Sequence, residues 1–381
     1  MSSIQAKKVV FLTGTRADFG KLKSLMNRFR DDVDFELHVF VTGMHMLSKY
    51  GYTCEEVEKA NFRNIHKFIN QNSSDSMDHI LSKTISGLSD YIKEIKPDLL
   101  IVHGDRVEAL AGAAVGALNN ILVGHIEGGE VSGTIDELIR HAVSKLSHIH
   151  FVANEAAKLR LSQLGEHNDT IHIIGSPDVD VMNSKTLPTI AEVRNYYDFD
   201  FSDYGILMFH PVTTELEDLH YHVRTIVDQV IESKLNYIVI YPNNDIGTDI
   251  ILNEYKRFSG LHQIKMYPSM RFEYFLTLLK NAIFIIGNSS AGVREAPHFG
   301  VPTINLGTRQ NNRVNCESVL NIEIKKECIN KALEDIKSTP KKSHILFGNG
   351  GSDERFYQIL KSSKFWQTRT QKIFVDMIME N

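Results

Sequence analysis

The sequence predicts an α/β protein built from two doubly wound parallel sheets. Three observations carry that expectation. Short apolar runs rich in Val, Ile, Leu and Phe alternate with amphipathic helical stretches from end to end. The runs are nearly continuous in their apolar character, as strands covered on both faces are. The alternation breaks once, near residues 175–189, and then restarts. At 381 residues the chain also exceeds what one ordinary hydrophobic core organises, which favours two domains.

Taken in order, the first set of strands reads KVVFLTG, ELHVFVTG, DLLIVHGD, NILVGHIEGG, HIHFVAN and IHIIGS. Between the second and third, Met77, Ile80, Leu81, Ile85, Leu88, Ile92 and Ile95 recur at helical spacing, and Pro97 ends the run. The stretch EALAGAAVGALNN is rich in small apolar residues, so its helix should pack closely on the sheet. Strand–helix–strand repetition of this kind predicts βαβ units. The segment GSPDVDVMNSKTLPT, with two prolines and several turn formers, marks a domain boundary. The second set follows as GILMFHP, YIVIYPNN, QIKMYPS, AIFIIGNSS and TINLG. The expected division is a Rossmann-like domain over residues 1–178 and a second over 179–360. A C-terminal helix over 361–381 is placed to pack back on the first; the helical reading begins near Glu354 and includes the only tryptophan, Trp366.

The composition narrows the function. A formal net charge of −5 argues against nucleic acid or an anionic membrane as the main partner. No apolar stretch approaches bilayer-spanning length, and MSSIQAKK lacks the apolar core of a signal peptide. Cys54, Cys316 and Cys328 are scattered without metal-ligand spacing, so no metal site is expected. The simplest reading is a cytoplasmic protein in a reducing compartment.

In open parallel sheets, ligands bind beyond the C-terminal ends of the strands. The first such end opens FLTGTRADFGKLK, which has the outline of a phosphate loop. Five residues separate Gly14 from Gly20, and Leu22 follows Lys21, so the Walker spacing and the magnesium-binding hydroxyl are both missing. An anion-binding turn remains the expectation. Asp105 ends DLLIVHGD and Glu127 ends NILVGHIEGG, which brings two carboxylates to one edge. Such a pair suits general acid–base work. The structural alternative has Asp105 capping the next helix and Glu127 paired with an arginine such as Arg106. In SGTIDELIRHAVSKLSH, Thr134 and Glu137 form a capping-box pattern, while Asp136 lies in the first helical turn with Arg140 four residues on. His141 reads as a packed histidine.

The second set offers the stronger phosphate site. FIIGNSSAGVREA is a strand, then Gly287-Asn288-Ser289-Ser290, then a helix start. Backbone amides and two hydroxyls there would meet a diphosphate, and Glu295 would reach ribose hydroxyls. His210 in FHPVTT and Asn243 with Asn244 in YPNND end strands on the same edge.

Together these motifs are specific. TGTRADFGKL, HGDRVEALAGA, HIEGGEVSGTIDELIRHAVSKLSH, MFHPVTTE and GNSSAGVREAPHFGVPTINLGTRQ closely resemble the hydrolysing UDP-N-acetylglucosamine 2-epimerases of sialic acid biosynthesis. The resemblance runs in order through almost the whole chain. It implies the glycosyltransferase-B architecture with an active site in the interdomain cleft. It also implies conversion of UDP-N-acetylglucosamine and water to N-acetylmannosamine and UDP through a glycal. By the same resemblance Asp105, Glu127 and Asp136 are the catalytic carboxylates, with Glu127 assigned to elimination and the other two mainly to hydration. Arg16, Lys21, Arg106, Arg140, His210, Asn243, Ser289, Ser290, Glu295 and Arg309 are expected at the UDP-sugar. The resemblance implies no tightly bound organic cofactor, leaves any magnesium stimulation open, and suggests a homo-oligomer, a dimer or tetramer. Three enzymes of similar fold compete: a non-hydrolysing 2-epimerase, a hydrolysing epimerase for a diacetamido sugar, and a glycosyltransferase. Arg16-Ala17-Asp18, where the non-hydrolysing group typically has Arg-Pro-Glu, favours hydrolysis. A pure nucleotide-sugar sensor is the non-enzyme alternative.

Overall fold

The computed structural model describes residues 6–72, 75–314, 316–336, 339 and 341–376. They fall into two compact units. The first runs to Glu130, resumes over Asp136–Asn183 and takes the chain again from Phe347; the second comprises Val131–Ile135 and Ser184–Leu346.

The first unit is built on a seven-stranded sheet of β1 (Lys7–Thr13), β2 (Phe35–Val41), β3 (Asn64–Lys67), β4 (Leu99–His103), β5 (Leu122–Ile126), β6 (Ile149–Val152) and β7 (Ile171–Ile173). Its order is β3-β2-β1-β4-β5-β6-β7, and every pairing is parallel. The order reverses between β1 and β4, which opens a crevice at their C-terminal ends. The second unit holds six parallel strands: β8 (Gly205–Met208), β9 (Tyr237–Ile240), β10 (Ile264–Tyr267), β11 (Phe284–Gly287), β12 (Thr303–Leu306) and β13 (Val319–Ile322). Its order is β10-β9-β8-β11-β12-β13, with the reversal between β8 and β11. Each unit is thus a doubly wound, Rossmann-like sheet.

The central strands are apolar on both faces because helices cover both. Val9, Val10 and Phe11 of β1 and Leu99 to Val102 of β4 are all fully buried. The helix expected over residues 77–95 forms over Met77–Ile95, with Ile80, Leu88 and Ile92 buried, and ends on Lys96 in the left-handed region.

The units divide differently from the sequence expectation at three points. The first unit extends to Asn183 because helix Pro177–Met182 buries Val179 and Met182, and its Asp180 accepts from the backbone N–H groups of Ser352 and Asp353 at 3.1 and 3.0 Å. Residues 347–360 belong to the first unit as well. Phe356, in helix Ser352–Lys361, is fully buried among Phe11, Phe29 and Phe151, at ring-centroid distances of 6.2, 5.8 and 4.6 Å. Finally, Val131–Ile135 counts with the second unit, where Gly133 N–H donates to Arg309 O at 2.9 Å.

Candidate functional site

At the first unit's switch point, the turn after β1 is organised by Asp18. Thr15 caps helix Arg16–Asn27 by accepting from Asp18 N–H at 3.1 Å, and Asp18 Oδ2 accepts from Gly14 N–H at 2.9 Å. The other Asp18 oxygen lies 2.8 Å from Nδ1 of His103, the last residue of β4. His103 Nε2 faces Glu127 Oε2 at 3.3 Å. Glu127 Oε1 accepts from Ser176 Oγ at 2.7 Å and lies 3.6 Å from Lys21 Nζ, which is itself 3.4 Å from Asp178 Oδ2. Glu127, Lys21 and Asp178 are all buried. Burial alone would push the His103 imidazole down, but the carboxylates of Glu127 and Asp18 outweigh it and raise it to about 10.

Glu127 adopts a φ of +65°, a conformation that costs a non-glycine residue energy and clusters at functional positions. It directly follows β5 and begins a sharp turn through Gly128 and Gly129. At Gly129, φ is +74°, and a Cβ would sit 2.3 Å from Ala157 O, so the chain can pass here only with glycine.

Asp105, two residues beyond His103, pairs with Arg140 of helix Ile135–Leu146. The helix after Asp105 has Arg106 as its N-cap residue, and Glu127 lies among Ser176, Lys21 and His103. Arg140 is only 1% exposed and also donates to Glu130 O at 3.4 Å. Burial pushes its guanidinium down, and the charges of Asp105, Glu130 and Asp136 more than restore it. Asp136 occupies the first turn of the same helix. Arg140 thus links the two carboxylates expected in hydration. Its guanidinium pairs directly with Asp105, and the charge of Asp136, the partner the sequence suggested, also acts on it. Arg16 pairs with Glu56 at 2.7 Å, and Arg106 Nε lies 3.4 Å from Glu108, which is 2% exposed. His141 makes an i,i+4 contact with Glu137 at 3.5 Å.

The second unit's switch point is bridged in a similar way. Asn288, directly after β11, accepts from His210 N–H at 2.7 Å and donates to His210 O at 2.9 Å. Asn243 N–H donates to His210 Nδ1 at 3.0 Å, so a neutral His210 carries its proton on Nε2. Asn288 O accepts from Arg309 Nη1 at 3.2 Å and from Gln310 Nε2 at 2.9 Å. Gly287 must be glycine: its φ is +135° and a Cβ would lie 1.9 Å from Met208 O. Ser289 caps the 3₁₀ turn Ser290–Gly292 by accepting from Ala291 N–H at 3.3 Å. The helix start expected after Ser290 takes the form of this turn followed by a five-residue helix, Glu295–Phe299, which ends on Gly300 in the left-handed region. Glu295 is 3% exposed at that helix's first position.

The whole chain has known relatives. A family model described as UDP-N-acetylglucosamine 2-epimerase matches residues 27–361. The chain belongs to the UDP-N-acetylglucosamine 2-epimerase family. Within it, the chain is 48% identical over 375 residues to a UDP-N-acetylglucosamine 2-epimerase of Neisseria meningitidis serogroup B, covering 97% of this chain and 99% of that one. It is 33% identical over 362 residues to a hydrolysing UDP-N,N'-diacetylbacillosamine 2-epimerase of Legionella pneumophila, covering 93% and 96%. Two solved structures of family enzymes share the fold. A Neisseria meningitidis enzyme bound to UDP-GlcNAc gives a TM-score of 0.78 at 18% identity, and a Methanocaldococcus jannaschii enzyme with UDP-GlcNAc and UDP gives 0.77 at 23%; each comparison covers 93% of this chain and 99% of the other. The architecture is accordingly the two-domain glycosyltransferase-B type.

For this epimerase-family chain, the first unit gathers Lys21 with Glu127, and Asp105 with Arg140, at one sheet edge. The second gathers His210, Asn243 and Arg309 around Asn288. Sequence reading overlooked Asp18, His103, Ser176, Asp178 and Asn288 as site residues. Each except Ser176 and Asp178 lies within four residues of a glycine at a strand end, the same signal that selected Asp105 and Glu127. Ser176 and Asp178 fall in the segment read only as a domain boundary.

Proposed function

We propose that the chain is a hydrolysing 2-epimerase that converts UDP-N-acetylglucosamine and water to N-acetylmannosamine and UDP. The observation that carries this reading is the pair of differently held carboxylates on one sheet edge: Glu127 among Ser176, Lys21 and His103, and Asp105 on Arg140. Each carboxylate has partners of the charge that favours the ionised form a base needs.

In the first step Glu127 takes the C2 proton while the C1–O bond breaks, its electron pair leaving with UDP, and a C1–C2 double bond forms. In the second, water adds its oxygen to C1 and C2 receives a proton on the opposite face, with Asp105 and Asp136 serving this hydration. C2 is inverted and the sugar is released free. His210, Asn243, Ser289, Ser290 and Arg309 are the groups we assign to the diphosphate, and Glu295 to the ribose. In the first unit, Arg16, Lys21 and Arg106 are the cations assigned to the sugar end of the nucleotide. The reaction needs no organic cofactor. We further infer a homo-oligomer working in the cytoplasm at the entry to sialic acid synthesis.

The relative of 33% identity supports a second reading, hydrolysis of a UDP-diacetamido sugar by the same steps. Incubation with each UDP-sugar and separation of the products tests both. Free N-acetylmannosamine and UDP are expected. UDP-N-acetylmannosamine contradicts hydrolysis, and faster turnover of the diacetamido substrate favours the second reading.

A further inference from the structure

His103 is absent from the steps above, yet its position is unusual. It ends β4 at the point where the strand order reverses, and both of its ring nitrogens face carboxylate oxygens, Asp18 at 2.8 Å and Glu127 at 3.3 Å. A neutral imidazole has one N–H and would turn its other nitrogen's lone pair towards a carboxylate. The two contacts are ion-pair distances, with no hydrogen bond formed at Nε2, and only the imidazolium carries the positive charge that draws a carboxylate to each side. Asp18 is fixed in turn by Gly14 N–H and by its place in the capped first turn of helix Arg16–Asn27.

The charged and titratable neighbours agree. Helix Arg16–Asn27 supplies Asp18 and Lys21, the turn after β5 supplies Glu127, and helix Pro177–Met182 supplies Asp178. With His103 cationic, three carboxylates meet two cations. With it neutral, the same carboxylates would lose one cation in a buried setting, which is costly. His125, on β5, is turned away to Gly104 O at 2.8 Å and Ser144 Oγ at 3.0 Å, and burial pushes it down to about 3, so it adds no competing cation.

We propose that His103, clamped by Asp18, is the positioning residue that holds Oε2 of Glu127 and keeps that carboxylate ionised for proton abstraction. The inference rests on the reading of Glu127 as the elimination base. It gives the opening loop a second role: its Asp18 fixes the geometry of a base carried on another strand.

The test uses the full-length protein. NMR of protein labelled at the histidine ring carbons reads the charge of His103, with its signal identified by loss in His103→Gln. His103 should stay cationic to above pH 9 in the wild type and titrate at least one pH unit lower in Glu127→Gln. In steady-state assays with UDP-N-acetylglucosamine, His103→Gln should lower kcat about 100-fold with KM and UDP affinity within threefold. The acidic limb of its kcat profile should move up by about one pH unit, because Glu127 loses a neighbouring cation. Asp18→Asn, which leaves His103 in place, should shift both readouts in the same direction and serves if His103→Gln fails to fold. A wild-type His103 that titrates near neutrality, or a His103→Gln enzyme with wild-type kcat and acidic limb, overturns the proposal. Absence of wild-type turnover would overturn the substrate reading alone, since the NMR arm still decides whether Glu127 and Asp18 hold a charged His103.

Discussion

At the scale of single residues, the environments of the carboxylates make separable predictions. Glu127→Gln removes the acceptor of the C2 proton, so this variant should form no glycal, while Asp105→Asn and Asp136→Asn should release glycal they hydrate slowly. Product NMR checks this; glycal from Glu127→Gln and none from the aspartate variants would reverse the roles. Arg140→Ala should destabilise the fold by about 2–3 kcal/mol, because it removes a buried cation and strips Asp105 of its partner. Urea unfolding measures it. The two histidines near the edge carry opposite pH signs. His103 is raised above its unfolded value of about 6.5, so its contribution is full below that pH and is lost as pH rises through about 10. His125 is depressed, so its contribution is present above about pH 6.5 and is lost as pH falls towards 3. Unfolding free energies should therefore decline on both sides of neutrality. Glu127→Gln should flatten the alkaline side, which a series of denaturant titrations would show. Asp105 and Glu127 were legible because each ends an apolar run beside a glycine. Asp178 was not, because its partner Lys21 is more than 150 residues away and only the tertiary fold joins them.

At the scale of elements, the sequence revealed the central strands and missed β3 and β13. Both are edge strands of their sheets. NIHK and VLNI are short and only partly buried, so they lack the continuous apolar signature of strands covered on both sides. The helix ending at Ile95 was legible to the residue because a strong periodicity meets Pro97 two positions later. The C-terminal segment illustrates the opposite limit, since what fastens it lies far away in sequence. Lys372 Nζ donates to the carbonyls of Lys145 at 2.7 Å and Ser147 at 2.5 Å, at the C-terminal end of the helix that carries Asp136 and Arg140. It also pairs with Glu166 at 2.6 Å. A cation there complements the helix dipole as well as the carbonyls. Lys372→Ala should cost about 1–2 kcal/mol, read as a lowered Tm, with Glu166 still held by Lys145 and His150.

At the scale of the whole molecule, two units of unrelated local sequence repeat one device. In each, the strand order reverses once, and side chains bridge the resulting gap: Asp18 to His103 in the first unit, Asn288 to His210 in the second. The first bridge is ionic and borders the carboxylates. The second is uncharged at its centre, with Arg309 and Gln310 converging on Asn288. That contrast fits a division in which one unit moves protons and the other holds an anion. The central claim is that C2 loses its proton to the protein and regains one from solvent before a free sugar departs. Turnover of UDP-N-acetylglucosamine in deuterated water, followed by NMR, tests it most directly. The account predicts free N-acetylmannosamine bearing deuterium at C2; product retaining the original hydrogen there, or remaining attached to UDP, would contradict it.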